Sequence, residues 1–102
     1  MIDVNEVIIV LNDVEKAESE KIRRCLNTLY SVREGEQPLD REFGLAQDFL
    51  DQPMPAAQNL LALEIIKKTA RYEPRVIVEK VEYEHREDGT LIPIVNLKRG
   101  EM

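Results

Sequence analysis

Residues 72–97 read YEPRVIVEKVEYEHREDGTLIPIVNL, and this stretch decides the fold that we predict. The run Val76–His85 is rich in β-branched residues and alternates apolar with charged side chains, which is typical of a long strand. Asp88-Gly89 is a tight-turn signal, so Leu91–Leu97 is predicted to pair back as the second arm of a hairpin. Pro93 lacks a backbone N–H, which predicts that this second arm lies at the edge of the sheet.

Helices are predicted on the N-terminal side of this stretch. The longest covers about Ala56–Tyr72 and ends there, because Pro74 pushes the preceding residue out of the helical region. An amphipathic helix covers about Ser19–Tyr30, with Ser19 as its N-cap. A short helix is predicted over Phe43–Leu50, and the apolar run Val7–Leu11 favours a strand.

These elements predict one α+β domain over residues 1–102, with about three helices packed on a small, mainly antiparallel sheet with a C-terminal β-hairpin. Residues 1–18 are interpreted as an N-terminal extension or strand. Residues 99–102 are expected to form a frayed tail.

Composition and charge narrow the range of functions. The 102 residues carry a net charge of −6, from 20 acidic and 14 basic side chains that are mixed along the chain. Binding to nucleic acid or to an anionic membrane requires a concentrated basic surface, so neither is an expected partner. No apolar run approaches the ~20 residues of a membrane-spanning helix, and the acidic start lacks the basic head of a signal peptide. We therefore expect a protein of the cytosol.

No catalytic, cofactor-binding or metal-binding residue is predicted. His85 is the only histidine and has no neighbouring His or Cys, whereas a metal site needs converging ligands. The four glycines are scattered and form no phosphate-binding loop, and neither Ser19 nor Ser31 lies in a nucleophile elbow. Cys25 lies in the apolar stripe of the first helix and is interpreted as a small buried side chain.

Three short motifs occur in order along the chain. They are Cys25-Leu26-Asn27-Thr28-Leu29 with a later Gly35-Glu36, then Arg41-Glu42-Phe43-Gly44-Leu45, then Tyr72-Glu73-Pro74-Arg75-Val76 before the hairpin. Over about Ile22–Lys98, the chain thereby resembles the contractile-tail baseplate family of the T-even phage gene product twenty-five. Relatives of this family occur in tailocins, in prophages and in the type VI secretion baseplate.

The resemblance implies a structural subunit that joins the baseplate wedge and starts the polymerisation of the tail sheath. In the family, the Glu-Pro-Arg segment contacts the helical core bundle of the wedge, so Glu73, Pro74 and Arg75 are the expected wedge contacts. The C-terminal strand, at its expected sheet edge, is predicted to bind the sheath protein by strand addition. Its residues are Leu91, Ile92, Pro93, Ile94, Val95, Asn96 and Leu97.

The expected partners are therefore baseplate wedge proteins and the tail sheath protein, with no small-molecule substrate. The expected location is the bacterial cytoplasm during assembly and afterwards the phage tail baseplate or another contractile particle. A free-standing anti-adaptor that regulates by binding another protein is the alternative, because a stress-response regulator shares this fold family. A muramidase is the third hypothesis, since the family has also been labelled lysozyme. The acidic residues of this chain lie on polar faces and in loops, whereas a catalytic acid needs an apolar pocket.

Overall fold

The computed structural model describes residues 2, 6–36, 38–46 and 52–100. Two helices and three strands are present in these ranges. They are β1 (Ile8–Asn12), α1 (Lys16–Ser31), α2 (Met54–Tyr72), β2 (Val76–His85) and β3 (Leu91–Arg99). The strands form one mixed sheet in the order β1-β3-β2, so the last strand in the chain lies at its centre.

β3 pairs differently with its two neighbours. It runs parallel to β1, from the pair Ile8 and Ile94 to the pair Asn12 and Lys98. It runs antiparallel to β2, with an irregularity in register between Val78 and Lys80. Val95 therefore has Ile9 on one side and Val81 on the other, which closes the middle of the sheet with β-branched side chains.

The hydrophobic core joins the two helices to one face of the sheet. Its members include Ile9, Ile22, Leu26, Leu29, Leu61, Ile65, Val95 and Leu97. Tyr30 and Thr69 join the helices inside this core, with their hydroxyl oxygens 2.7 Å apart. Each fully buried aliphatic side chain contributes about 1.5–3 kcal/mol, so these residues are the main source of stability.

The helix boundaries have local causes. α1 begins at Lys16, three residues before the predicted N-cap, and the hydroxyl of Ser19 donates to the carbonyl oxygen of Lys16 at 2.8 Å. α2 has Pro53 immediately before it and Pro55 in its first turn, where a missing N–H costs no helical hydrogen bond. Its end at Tyr72 was predicted from Pro74 and is confirmed. Neither helix combines the length and apolar character needed to cross a membrane.

The predicted fold class is wrong in its number of helices and in its sheet, although the overall α+β character holds. Phe43–Ala46, the described part of the third predicted helix, is irregular, and Leu45 forms a short bridge with Arg33 instead. The remainder of that prediction, residues 47–50, lies outside the described residues. The sheet is mixed rather than mainly antiparallel, because the N-terminal strand adds to β3 in parallel.

The predicted edge position of Leu91–Leu97 is also wrong. β3 has a strand on each side, so its antiparallel pairing with β2 is one half of a central strand's contacts rather than a free-standing hairpin. Arg99, the first residue of the expected frayed tail, belongs to β3, and residues 101 and 102 lie outside the described residues. Gly100 follows in an ordered position, where its N–H donates to the carbonyl oxygen of Arg75 at 2.9 Å.

Candidate interaction site at the helix-to-strand corner

Glu73, Pro74 and Arg75 form the corner between α2 and β2. The guanidinium of Arg75 binds the carboxylate of Glu73 through two parallel hydrogen bonds, Nε to Oε1 at 2.6 Å and Nη2 to Oε2 at 2.7 Å. The two side chains differ in exposure, since Glu73 is 2% exposed and Arg75 is 46% exposed. A buried carboxylate therefore anchors a half-exposed arginine in one orientation.

Burial and charge set the protonation state of this corner. The hydrogen bonds from Arg75 lower the pKa of Glu73, and they outweigh its desolvation, which acts in the opposite direction. Desolvation and the nearby carboxylate of Glu73 raise the pKa of the Cys25 thiol in α1. Cys25 is half-buried and stays a neutral thiol, so it supports the corner rather than acting as a nucleophile.

Two hydrogen bonds and the ring of Pro74 fix the backbone of the corner. The N–H of Glu73 donates to Thr69 in the last turn of α2 at 2.8 Å, and the N–H of Gly100 donates to Arg75 at 2.9 Å. Pro74 restricts the intervening backbone, and its ring is exposed. The corner is therefore a rigid feature with one apolar ring and one arginine at its surface.

The side chains of Glu73 and Arg75, both predicted to contact a wedge protein, differ in exposure. Glu73 is enclosed, and its carboxylate accepts two hydrogen bonds from Arg75. The half-buried thiol and the buried acid were not paired from the sequence, since 48 residues separate them and no periodicity links them.

The other predicted contact, Leu91–Leu97, does not form an exposed surface. Most of its side chains are buried, and only Ile94 and Asn96 are half-buried. The amide of Asn96 donates to Glu82 of β2 at 3.0 Å, which adds a side-chain contact to the strand pairing.

Lys68 is a buried cation whose role the sequence analysis missed. Its side chain is 2% exposed, and Nζ donates to Oε2 of Glu34 at 2.5 Å and to the carbonyl oxygen of Glu42. Oε1 of Glu64 lies 3.7 Å from the same nitrogen. A buried ammonium is stable only with such partners, so Lys68 attaches the loop after α1 to α2. The four-residue spacing from Glu64 was the one available signal, and it is equally typical of an exposed pair.

The same loop depends on Gly44. This residue has φ of +103°, in the left-handed region, and a Cβ there would collide with the carbonyl oxygen of Val32. The close approach lets the N–H of Leu45 donate to Val32 at 2.9 Å. Phe43 beside it packs edge-to-face on Tyr72, with ring centroids 5.1 Å apart. The Phe-Gly pair thus joins the loop to the end of α2, next to the corner.

A protein-family model for the baseplate wedge protein gp25 matches residues 16–97. The chain belongs to this family. The match runs from the first residue of α1 into β3 and includes the loop, the buried lysine and the corner, which confirms the resemblance seen in the three motifs. Among curated proteins, the comparison found no match.

Membership of the gp25 family makes this protein a structural component of the phage tail baseplate, where it assembles with other baseplate proteins. Proteins of this family are generally not enzymes. The lysozyme label receives no support from the match.

The acidic residues also give a muramidase no support. An open depression of about 450 Å³ lies beside the turn between β2 and β3, and its acids Glu6, Glu87 and Asp88 are exposed. The N–H of Thr90 donates to Asp88 at 2.9 Å and lowers the pKa of that carboxyl. A general acid needs the opposite shift, because it must hold a proton at neutral pH. In the described ranges, no group of three His, Cys, Asp or Glu side chains is arranged to hold a metal.

Proposed function

We propose that this protein docks on the baseplate wedge through the exposed part of its helix-to-strand corner and starts the assembly of the tail sheath. The observation that carries the proposal is the fork between Glu73 and Arg75, which presents Arg75 in one orientation beside the exposed ring of Pro74. A pre-oriented arginine loses little conformational entropy when a partner binds it, which favours recognition at this point.

The three residues of the corner have different roles in docking. Glu73 holds the arginine from inside the domain, whereas Pro74 and Arg75 make the contact with the wedge. Substituting Arg75 removes the contact but also leaves a buried carboxylate without its cation, so a loss of stability accompanies the loss of binding. A test of docking therefore measures both quantities for the same variants.

The test compares Arg75→Ala with Arg86→Ala. Arg86 is a matched control at the opposite end of β2, since it also pairs with an acid two residues before it, and its side chain is 48% exposed. Both variants are co-expressed with baseplate wedge proteins from the same source and purified at a temperature where circular dichroism shows them folded. We expect Arg75→Ala to lose co-purification and Arg86→Ala to keep it. Equal recovery of the wedge proteins with both folded variants would contradict docking at the corner.

The sheath contact is assigned to the outer edge of β2. Strand addition needs backbone N–H and C=O groups without a neighbour, and β3 lies between two strands, so the predicted role of Leu91–Leu97 becomes that of holding β2 in position. β1 forms the other edge, but Nη1 of Arg23 binds the carbonyl oxygen of Ile9 there at 2.6 Å. β2 therefore offers the longer and more accessible edge to an incoming sheath strand.

Proline substitutions test this edge. Glu84 and His85 both have exposed side chains, and neighbouring residues of a strand direct their N–H groups to opposite sides. One of Glu84→Pro and His85→Pro thus removes an outward donor and keeps the pairing with β3. We expect the variant that retains the wild-type unfolding temperature to be incorporated into baseplates without starting a sheath, whereas alanine at the same position acts as wild type. Normal sheath assembly on that folded proline variant would contradict strand addition at β2.

A further inference from the structure

A small notch opens beside the corner, on the side of α1. It has a volume of about 120 Å³ and is lined by Glu18, Arg75, Arg99 and Gly100. Arg99 reaches this place because it pairs with Val76 in the sheet register, directly next to Arg75 in the chain. Two arginines, one in the corner before β2 and one at the end of β3, therefore border one cavity at the surface.

Both arginines have donors to spare. The fork to Glu73 uses one N–H on Nε and one on Nη2 of Arg75, which leaves three of the five guanidinium N–H groups for another acceptor. The side chain of Arg99 is exposed and makes no ion pair or hydrogen bond within the part of the chain that the structure describes. Glu18 lies across the notch and forms no ion pair with either arginine in those same ranges.

We propose that this notch binds a carboxylate side chain, Asp or Glu, of a wedge protein, with Arg99 as the second cation beside Arg75. The proposal rests on the docking function above and adds its chemistry, namely an acid on the partner and a second arginine on this chain. Guanidinium groups bind carboxylates through paired N–H donors, and 120 Å³ admits the end of an acidic side chain.

The charge of the chain favours a protein acid over a phosphate backbone. Nucleic-acid binding requires many basic groups along a surface, whereas this notch has two and the chain has a net charge of −6. Glu18 gives the notch a further property. As an acid at the rim it repels an incoming carboxylate, so it weakens the contact that the arginines make. Two arginines, of which Arg75 is already paired with Glu73, beside the acid Glu18 suit a single contact rather than a polyanion.

Affinity measurements on the full chain test the proposal. Baseplate wedge proteins from the same source are immobilised, and dissociation constants are measured for Arg75→Ala, Arg99→Ala and Glu18→Gln. Lys98→Ala is the matched control, because Lys98 is exposed on the neighbouring position of β3, on the other face of the sheet. Circular dichroism melting checks that Arg99→Ala and Glu18→Gln remain folded.

We expect Arg99→Ala to raise the dissociation constant about tenfold, Lys98→Ala to leave it unchanged and Glu18→Gln to lower it about two- to fivefold. If Arg99→Ala binds as wild type while Arg75→Ala does not, the notch is refuted and the docking function stands. If Arg75→Ala also binds as wild type, the docking function itself fails. Binding of a 20-base-pair DNA duplex that Arg99→Ala abolishes, with unchanged binding to the wedge proteins, would overturn the proposal in favour of a phosphate partner.

Discussion

Replacing Glu73 by Gln tests whether the corner is built from inside the domain. The substitution keeps the size of the side chain and removes its charge, so the two charge-assisted hydrogen bonds to Arg75 become weaker. Hydrogen bonds to a charged group contribute about 1.5–3 kcal/mol. The upper part of that range is not expected, because Arg75 is half-exposed and regains water when the pair is broken.

We therefore expect Glu73→Gln to lower the free energy of unfolding by about 1–2 kcal/mol at pH 7. For a domain of about 100 residues, each kcal/mol shifts the melting temperature by about 4–8 °C. Urea unfolding followed by circular dichroism measures the difference, with an unchanged slope against urea showing that the two proteins unfold alike. The control is Glu84→Gln, whose acid pairs with Arg86 at 3.2 Å with both side chains half-exposed, and which should change stability by less than about 0.5 kcal/mol.

The pH dependence gives a second, independent measurement. Since Arg75 lowers the pKa of Glu73 in the folded state, the contribution of Glu73 to stability is complete above its unfolded pKa, near 4.5. It is lost as the pH falls from there through the lower folded value. The stability difference between wild type and Glu73→Gln should therefore narrow below about pH 4.5. A difference that is absent at pH 7, or that stays constant as the pH falls below 4.5, would refute the buried fork.

Four further measurements address the core, Gly44, Lys68 and enzymatic activity. Leu26→Ala and Leu61→Ala should each lower the free energy of unfolding by about 2–5 kcal/mol in urea titrations, because both side chains are fully buried. Unchanged unfolding midpoints in both variants would show that these leucines are not core residues. Gly44→Ala should lower the free energy of unfolding by at least about 1–2 kcal/mol from the left-handed backbone alone. Gly35→Ala should lower it by less, because Gly35 also has a positive φ but has open space around it. Equal losses in the two variants would argue against the close approach at Gly44. Lys68→Met should weaken the attachment of the loop and speed amide hydrogen exchange over residues 38–46, and exchange at the wild-type rate would show that the lysine is dispensable. Purified protein should release no fragments from peptidoglycan, and turnover that disappears on replacing one Asp or Glu would reverse the conclusion on enzymatic activity.

The elements that carry a strong local signal were predictable. The strand at Val76–His85 was placed at its observed bounds, and the end of α2 followed from Pro74. The third helix was not observed in its described part because Phe43–Ala46 is organised by contacts distant in the chain. Gly44 packs against the end of α1, and Phe43 packs against Tyr72. Such contacts override the local helix preference, and the neighbouring sequence contains no signal that predicts them.

The candidate site was predictable in position and not in its interior. Pro74 between two opposite charges indicated a stiff corner, and the corner is observed. Burial of Glu73 depends on how the surrounding elements pack, including α1 with the nearby Cys25, which is a property of packing rather than of pattern. Arg99 could not be linked to Arg75 before the strand register was known. Residues that meet through sheet register stay separate in any linear analysis.

The sequence of β3 contains a signal for a buried strand, but Pro93 led to the prediction of an edge strand. Five of the seven side chains in Leu91–Leu97 are buried, and a nearly continuous apolar run is typical of a strand covered on both faces, whereas Val76–His85 alternates as a strand with one solvated face does. Pro93 is tolerated in this central strand because the parallel ladder with β1 begins one residue later, at Ile94. A proline therefore prevents one residue from donating a hydrogen bond to the ladder, but it does not exclude the whole strand from the centre of a sheet. The strand order β1-β3-β2 leaves β2 at an edge of the sheet, where the sheath contact is proposed.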